Sequence, residues 1–256
     1  MIFNYNKINI MFKTLKFLSV FAIANFGFSQ DESRLTEIWE PVPVKIKAYD
    51  FSRAPSDAII LFDGKDLSNW VTQYSNETPK WKINGDGSMT VVNGTGGIKT
   101  KKSFGSVQLH IEWKTSKALK DKKPQYNSNS GVFLQEKYEL QVLDSYENPT
   151  FVNGQAGSIY KQYAPLVNSS KKPGEWQSYD IIFNAPVFKK NQLIRPAFFT
   201  VFQNGVLIQN HVEVKGATTN VGLPQYNSHG NLPLVLQDHP SLAISFRNIW
   251  IRKIAN

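Results

Sequence analysis

Apolar residues in this chain recur at every second position and at no point with helical spacing. Val107, Leu109, Ile111 and Trp113 alternate with Gln108, His110, Glu112 and Lys114. Tyr138, Leu140 and Val142 alternate with Glu139 and Gln141, and Tyr179, Ile181 and Phe183 alternate with Ser178, Asp180 and Ile182. Successive side chains on a strand point to opposite faces, so each run has one face to bury and one to leave polar. Residues 198–203, then Asn204-Gly205, then residues 206–214 read as a hairpin, because Asn-Gly suits a two-residue turn with positive φ at both positions. In the last run, simple alternation puts Ile244, Phe246 and Trp250 on one face and Ile249 and Ile251 on the other. Many short period-two runs separated by turn residues predict an all-β fold, a two-sheet antiparallel jelly-roll sandwich.

The first 29 residues read differently. Lys13 and Lys16 precede the apolar stretch 17–24, and Gly27 and Ser29 place small residues at −3 and −1 of a cut before Gln30. That order is a secretory signal peptide, which implies export to the periplasm or the medium. The stretch is too short to span a bilayer of ~30 Å as a helix, and no later stretch is long enough to do so. Removing it takes away three lysines and no acid, lowering the net charge from +9 to +6 over 227 residues. The chain has no cysteine, hence no disulfide, no thiol nucleophile and no lipid anchor on a processed cysteine.

Residues 30–56, with Pro41 and Pro43, read as an extended lead-in, since proline lacks the amide that a helix interior or central strand needs. Residues 57–256 then read as a single domain. Polar stretches at 115–130, 161–175 and 215–231 interrupt its strands, and loops of that length in a compact domain commonly carry function. The lysines are scattered through such stretches as solvated charge, and no basic helix or RNA-binding aromatic motif points to nucleic acid. Nothing in the sequence fixes an oligomeric state.

Three places concentrate chemistry. On Tyr138-Glu139-Leu140-Gln141-Val142-Leu143-Asp144, alternation puts Glu139 and Gln141 on one face. Asp144 would join them if a β-bulge intervened, and bulges are frequent beside active sites. Gln108, His110 and Glu112 form a second polar face. Gln237, Asp238 and His239 come together just before the last strand, where a loop can present an imidazole with a carboxylate beside it. His211 and His229 are further candidates. No His-Glu-x-x-His, close His pair or calcium-loop spacing is present, so any divalent ion would have to be held by residues distant in sequence.

Blocks along the chain resemble the 3-keto-disaccharide hydrolase domain family. They are Leu61-Phe62-Asp63-Gly64-Lys65-Asp66-Leu67-Ser68-Asn69-Trp70, Asn129-Ser130-Gly131-Val132-Phe133, the Tyr138–Asp144 run, Gly157-Ser158-Ile159-Tyr160, Pro173-Gly174-Glu175-Trp176, Leu236-Gln237-Asp238-His239 and Phe246-Arg247-Asn248-Ile249-Trp250-Ile251-Arg252. They occur in order over residues 57–254. The sequence departs from the family pattern at Pro240, where glycine is usual, and in an insertion at residues 185–196.

The resemblance implies a concanavalin A-like sandwich, a carbohydrate ligand and cleavage of glycosides already oxidised to a ketone at C3. It implies acid/base roles for Glu139, Asp144 and His239. Glu112, Asn129, Gln141, Tyr160, Gln237, Asp238 and Arg247 are the expected substrate or oxyanion contacts, with a divalent metal as the one cofactor to consider. Two other functions fit the same fold: a lectin-like binding module, or a laminarinase-like hydrolase using a carboxylate pair ~5–5.5 Å apart.

Overall fold

The computed structural model describes residues 33–50, 53–117 and 123–254. The expected signal peptide, residues 1–29, and part of the lysine-rich loop after Lys117 lie outside the described residues. Two compact units are present: one up to Lys45, which among the described residues holds a single 3-10 turn at Ser33–Thr36, and one from Ile46 onward. The second unit therefore takes in part of the stretch expected as lead-in. It is nearly all β, with no α-helix among the described residues.

The larger sheet runs, in spatial order, through β13 (Val206–Glu213), β12 (Phe198–Gln203), β9 (Trp176–Asn184), β6 (Val107–Lys114), β15 (Ser245–Lys253), β4 (Met89–Thr90) and β3 (Lys82–Ile83). β1 (Ile59–Phe62) pairs with the far half of the β15 edge that β4 starts. The smaller sheet is β2 (Trp70–Thr72), β5 (Ile98–Phe104), β14 (Leu232–Leu236), β7 (Ser130–Leu134) and β8 (Tyr138–Val142). All pairings are antiparallel, giving a sandwich of the jelly-roll type. Within residues 185–196, expected as an insertion, β10 (Val187–Lys189) and β11 (Gln192–Arg195) form a separate two-stranded ribbon. Asn204 and Gly205 both have positive φ, as the β12–β13 turn requires.

The alternating residues supply the core. Leu109, Ile111, Trp113, Tyr179, Ile181 and Phe183 of the larger sheet are fully buried, as are Leu140, Val142, Val132, Ile98 and Leu236 of the smaller one. Tyr138 meets Phe183 across the gap at 5.7 Å between ring centres. The Tyr179 hydroxyl also crosses it, donating to the Gln141 carbonyl at 2.8 Å.

The last strand departs from the expected alternation. Arg247 pairs with Glu112 and Trp250 with His110, so β15 holds one residue more than β6 over that span. Asn248 takes φ +47° there. This bulge returns Ile249 and Ile251 to the inner face that Phe246 occupies, and puts Trp250 on the outside. Trp250 stacks there on His110 at 5.2 Å with planes 14° apart, and Tyr49 covers both rings.

Candidate functional site

The outer face of the smaller sheet carries the polar groups. Because Leu140 is in the core, its neighbours Glu139 and Gln141 point the other way, and register puts Phe133 opposite Glu139 and Gly131 opposite Gln141. A cavity of about 300 Å³ opens over this face. Asn129, Phe133, Glu139, Gln141, Tyr160, Asn220, Gln237 and His239 line it. A depression of about 370 Å³ beside β1, lined by Arg53, Ile60, Asp63 and Trp250 among others, has no such set of groups: its one carboxylate, Asp63, is held by Lys65 at 2.7 Å.

Glu139 is the only acidic residue lining the cavity, and it is 5% exposed. Its backbone is pinned at both ends, the amide donating to Thr218 Oγ1 at 3.0 Å and the carbonyl accepting from the Tyr160 amide at 3.2 Å. Its carboxyl has no hydrogen-bond or ion-pair partner among the described residues. Burial without compensation disfavours the charged form, which pushes this carboxyl up to about 8. The space it occupies is the one a side chain on Gly131 would need. Burial, and then the Glu139 charge, likewise raise the Tyr160 phenol, which stays a donor at neutral pH.

Amides occupy the next positions. Gln141 Nε2 donates to Asn129 Oδ1 at 3.1 Å, and Asn129 Nδ2 donates to the Gln125 carbonyl at 2.8 Å. This fixes the orientation of both amides and leaves Gln141 Oε1 buried with no partner among the described residues. Gln237 is held through its backbone, the amide donating to the Gly131 carbonyl and the carbonyl accepting from Ser130 Oγ. Its side-chain amide makes no hydrogen bond among the described residues. Two positions later His239 packs edge-on against Tyr126 at 5.5 Å, with Nδ1 buried and unpartnered among the described residues. Burial lowers its pKa, offset in part by Asp238, so the ring is neutral at pH 7. Leaving a buried polar atom unpaired costs about 1–3 kcal/mol, and Gln141 Oε1 and His239 Nδ1 are two such atoms on residues lining this cavity.

Other expected residues lie elsewhere. Asp238 turns its Oδ2 to the Gly96 amide at 2.9 Å and does not line the cavity. Asp144 does not line it either: no bulge interrupts the β7–β8 register, and the chain leaves the sheet after Val142. Asp144 then accepts from the Tyr146 amide at 3.2 Å, a local turn bond. Glu112 and Arg247 are on the outer face of the opposite sheet, paired at 2.6 Å, with Arg247 laid over Trp176. His110 sits beside them, and its Nδ1 meets Asp180 at 2.6 Å. Burial opposes a charge on this ring, but the bonds to Asp180 and Glu112 outweigh it and raise the pKa to about 9. His211 stacks on Phe198, and His229 bonds the Tyr138 hydroxyl at 2.8 Å.

Two lining residues have no signature in sequence. Phe133 looks like any strand aromatic until its face is known. Asn220 comes from the 215–231 loop, where its Oδ1 and carbonyl receive the Lys161 ammonium at 2.6 and 2.7 Å. Among the described residues no three His, Asp or Glu side chains come together to hold a metal ion. With one acidic residue on its walls, the cavity also lacks the carboxylate pair of a laminarinase-type site.

Residues 57–252 match the model of the 3-keto-alpha-glucoside-1,2-lyase-like domain. The chain belongs to that family. A crystal structure of a candidate glycosyl hydrolase from Parabacteroides distasonis is 47% identical, with a TM-score of 0.82, and the match covers 86% of this chain and 96% of that one. A second candidate glycosyl hydrolase from the same organism shares the fold at 18% identity and a TM-score of 0.58, over 78% of this chain and 94% of that one. No functionally curated protein matches the chain. Family and relative together put the chain among carbohydrate-active proteins.

Proposed function

We propose that this chain is an exported enzyme that cleaves 3-keto-glycosides by elimination followed by hydration, with Glu139 and His239 as its acid/base pair. The observation that carries this reading is that one cavity is lined by one buried carboxyl and one imidazole, neither with a hydrogen-bond partner for its acid/base atoms among the described residues. Glu139 is raised to about 8 and His239 is lowered below its ordinary 6.5. At neutral pH the first carries its proton and the second does not, so they enter catalysis already as acid and base.

A ketone at C3 makes the C2 hydrogen acidic. His239 takes that proton, and the C–H electron pair moves into an enolate whose oxygen sits on C3. Tyr160 O–H and the Gln237 amide are donors on the cavity wall with no partner among the described residues, suited to stabilise that oxygen. Collapse of the enolate forms the C1–C2 double bond and breaks the bond from C1 to the leaving oxygen, which receives the Glu139 proton. Water then adds at C1, giving a proton to the Glu139 carboxylate, while the imidazolium returns its proton to C2. Both groups end as they began. No step is routed through a metal.

The test is a matched pair, a glucoside and its 3-keto counterpart, incubated with the mature protein with and without a chelator. Cleavage of the keto sugar alone supports the reading, and chelator sensitivity would add a metal to it. Cleavage of the unoxidised glucoside would replace it with ordinary hydrolysis. Binding without cleavage of either would make the protein a lectin.

A further inference from the structure

One edge of β15 is shared between two partners. β4 takes Ser245 and Phe246, β1 takes Ile249, Trp250 and Ile251, and Arg247 and Asn248 fall in the gap between them. Both strands are irregular here: β15 carries its extra residue against β6, and the β1 register shifts between Ile60 and Phe62. The depression of about 370 Å³ opens at this place, walled by parts of the 53–63 segment and by Asn248, Ile249 and Trp250. It shares no lining residue with the cavity around Glu139. The Arg53 guanidinium is on its wall and has no hydrogen bond or ion pair among the described residues. Asp63, the one acid on the wall, is already matched by Lys65, so the charge left to face a ligand is that of Arg53. Asn248 donates from Nδ2 to Glu112 Oε1 at 2.8 Å, which fixes its amide and leaves Oδ1 an acceptor with no partner among the described residues.

We propose that this depression binds a carboxylate-bearing sugar, a hexuronate residue of an acidic glycan. Arg53 grips the carboxylate, because a guanidinium presents parallel N–H donors that match the two carboxylate oxygens. Asn248 Oδ1 accepts from a ring hydroxyl. Exposed Ile60, with Ala58 beside it on the wall, gives the C–H face of the ring an apolar surface. The chain's net charge of +9 favours an acidic glycan over a neutral one. β-Bulges are frequent where a strand re-aims a side chain at a ligand, and the one at Asn248 puts this amide on the wall. The site does not depend on the acid/base reading of the Glu139 cavity. It holds the protein on a glycan and leaves the bond to be cleaved to the other sheet.

The experiment titrates the isotope-labelled mature protein with methyl β-glucuronide and methyl β-glucoside, which differ in the carboxylate alone, and follows amide shifts by NMR. The glucuronide is expected to move the amides of Arg53, Ile60, Asn248 and Trp250, and the glucoside to leave them in place. Arg53 is exposed and its bonds to Asp50 are backbone ones, so the fold tolerates its replacement. Arg53→Gln should raise the glucuronide Kd about tenfold, the loss of one charge-assisted contact, and Arg53→Lys should recover part of it. Glu139→Gln should leave it unchanged. Equal binding of the glucoside, an unchanged Kd in Arg53→Gln, or shifts centred on Glu139 and Tyr160 would each overturn the site. So would acetate binding as tightly as the glucuronide, since the sugar ring would then contribute nothing.

Discussion

Glu139 and Gly131, on neighbouring strands, share one space: Glu139 Oε1 lies 2.5 Å from the position of a Cβ on Gly131. The Phe133 ring stands 2.6 Å from the same point. Gly131 has no positive φ, so it is a glycine for room and not for backbone conformation. Gly131→Ala is expected to displace the carboxyl and the ring together. Turnover of a 3-keto-glycoside should fall at least a hundredfold, while overpacking costs about 1–3 kcal/mol of stability. Wild-type kinetics in a folded Gly131→Ala protein would show that the carboxyl position is not critical.

The acid/base assignment sets the shape of the pH profile. Activity needs Glu139 protonated, which fails as pH rises through about 8, and His239 neutral, which fails as pH falls below its depressed pKa. The plot of kcat/KM is therefore a bell with its basic limb near 8 and its acid limb below 6.5. Glu139→Gln and His239→Asn should each lose about 10²–10⁴ in rate. A profile rising through 8 would reverse the roles and make ionised Glu139 the base.

The same carboxyl affects folding stability. Its folded pKa lies above the unfolded value of 4.5, so the unfolded state loses its proton first as pH rises. The destabilisation is absent below pH 4.5, grows from there and levels off above about 8. At pH 7 it amounts to roughly 3 kcal/mol, an order-of-magnitude figure. Glu139→Gln should accordingly raise Tm by several degrees at pH 7 and leave it unchanged at pH 4. Thermal melts of the two proteins across that range check the sign.

Glu112 provides the contrast. It binds Arg247 at 2.6 Å and Asn248 at 2.8 Å on the opposite sheet, away from the cavity. Glu112→Gln should leave kcat/KM unchanged and cost about 2 kcal/mol, below the ~3–5 kcal/mol of a fully buried pair because Arg247 is partly exposed. A large loss of turnover would mean that substrate also reaches this face. His110 in the same cluster gives its full stabilisation below pH 6.5 and loses it as pH rises through about 9. His110→Gln should remove that slope from the alkaline side of the stability curve.

The strand faces were legible in sequence wherever alternation was regular, and this is why the sequence alone places Glu139 and Gln141 on one face. Alternation says that two residues share a face but not which sheet or which side of the sandwich that face belongs to. Glu112 and Glu139 carry the same local pattern and sit on opposite outer surfaces. The β15 bulge was invisible because one extra residue at Asn248 leaves composition untouched while inverting Trp250. Asp144 was expected to reach the cavity through a bulge, but β8 ends two residues earlier and a turn bond takes the carboxylate instead. Asn220 could not be read at all, since a loop residue announces its position only through the tertiary contact with Lys161.

The outer surfaces of the two sheets would respond differently to artificial selection. Around His110 the charged side chains are paired, whereas among the described residues the Glu139 carboxyl, Gln141 Oε1 and His239 Nδ1 of the cavity have no partner. Mutations that relieve those unpaired groups raise stability, and the same groups are the ones proposed to do chemistry. A library screened for heat resistance alone would thus enrich inactive proteins with substitutions clustered in the cavity. Screened for turnover as well, it would collect its stabilising changes outside the cavity, and comparing the two sets of survivors would map the site without a ligand.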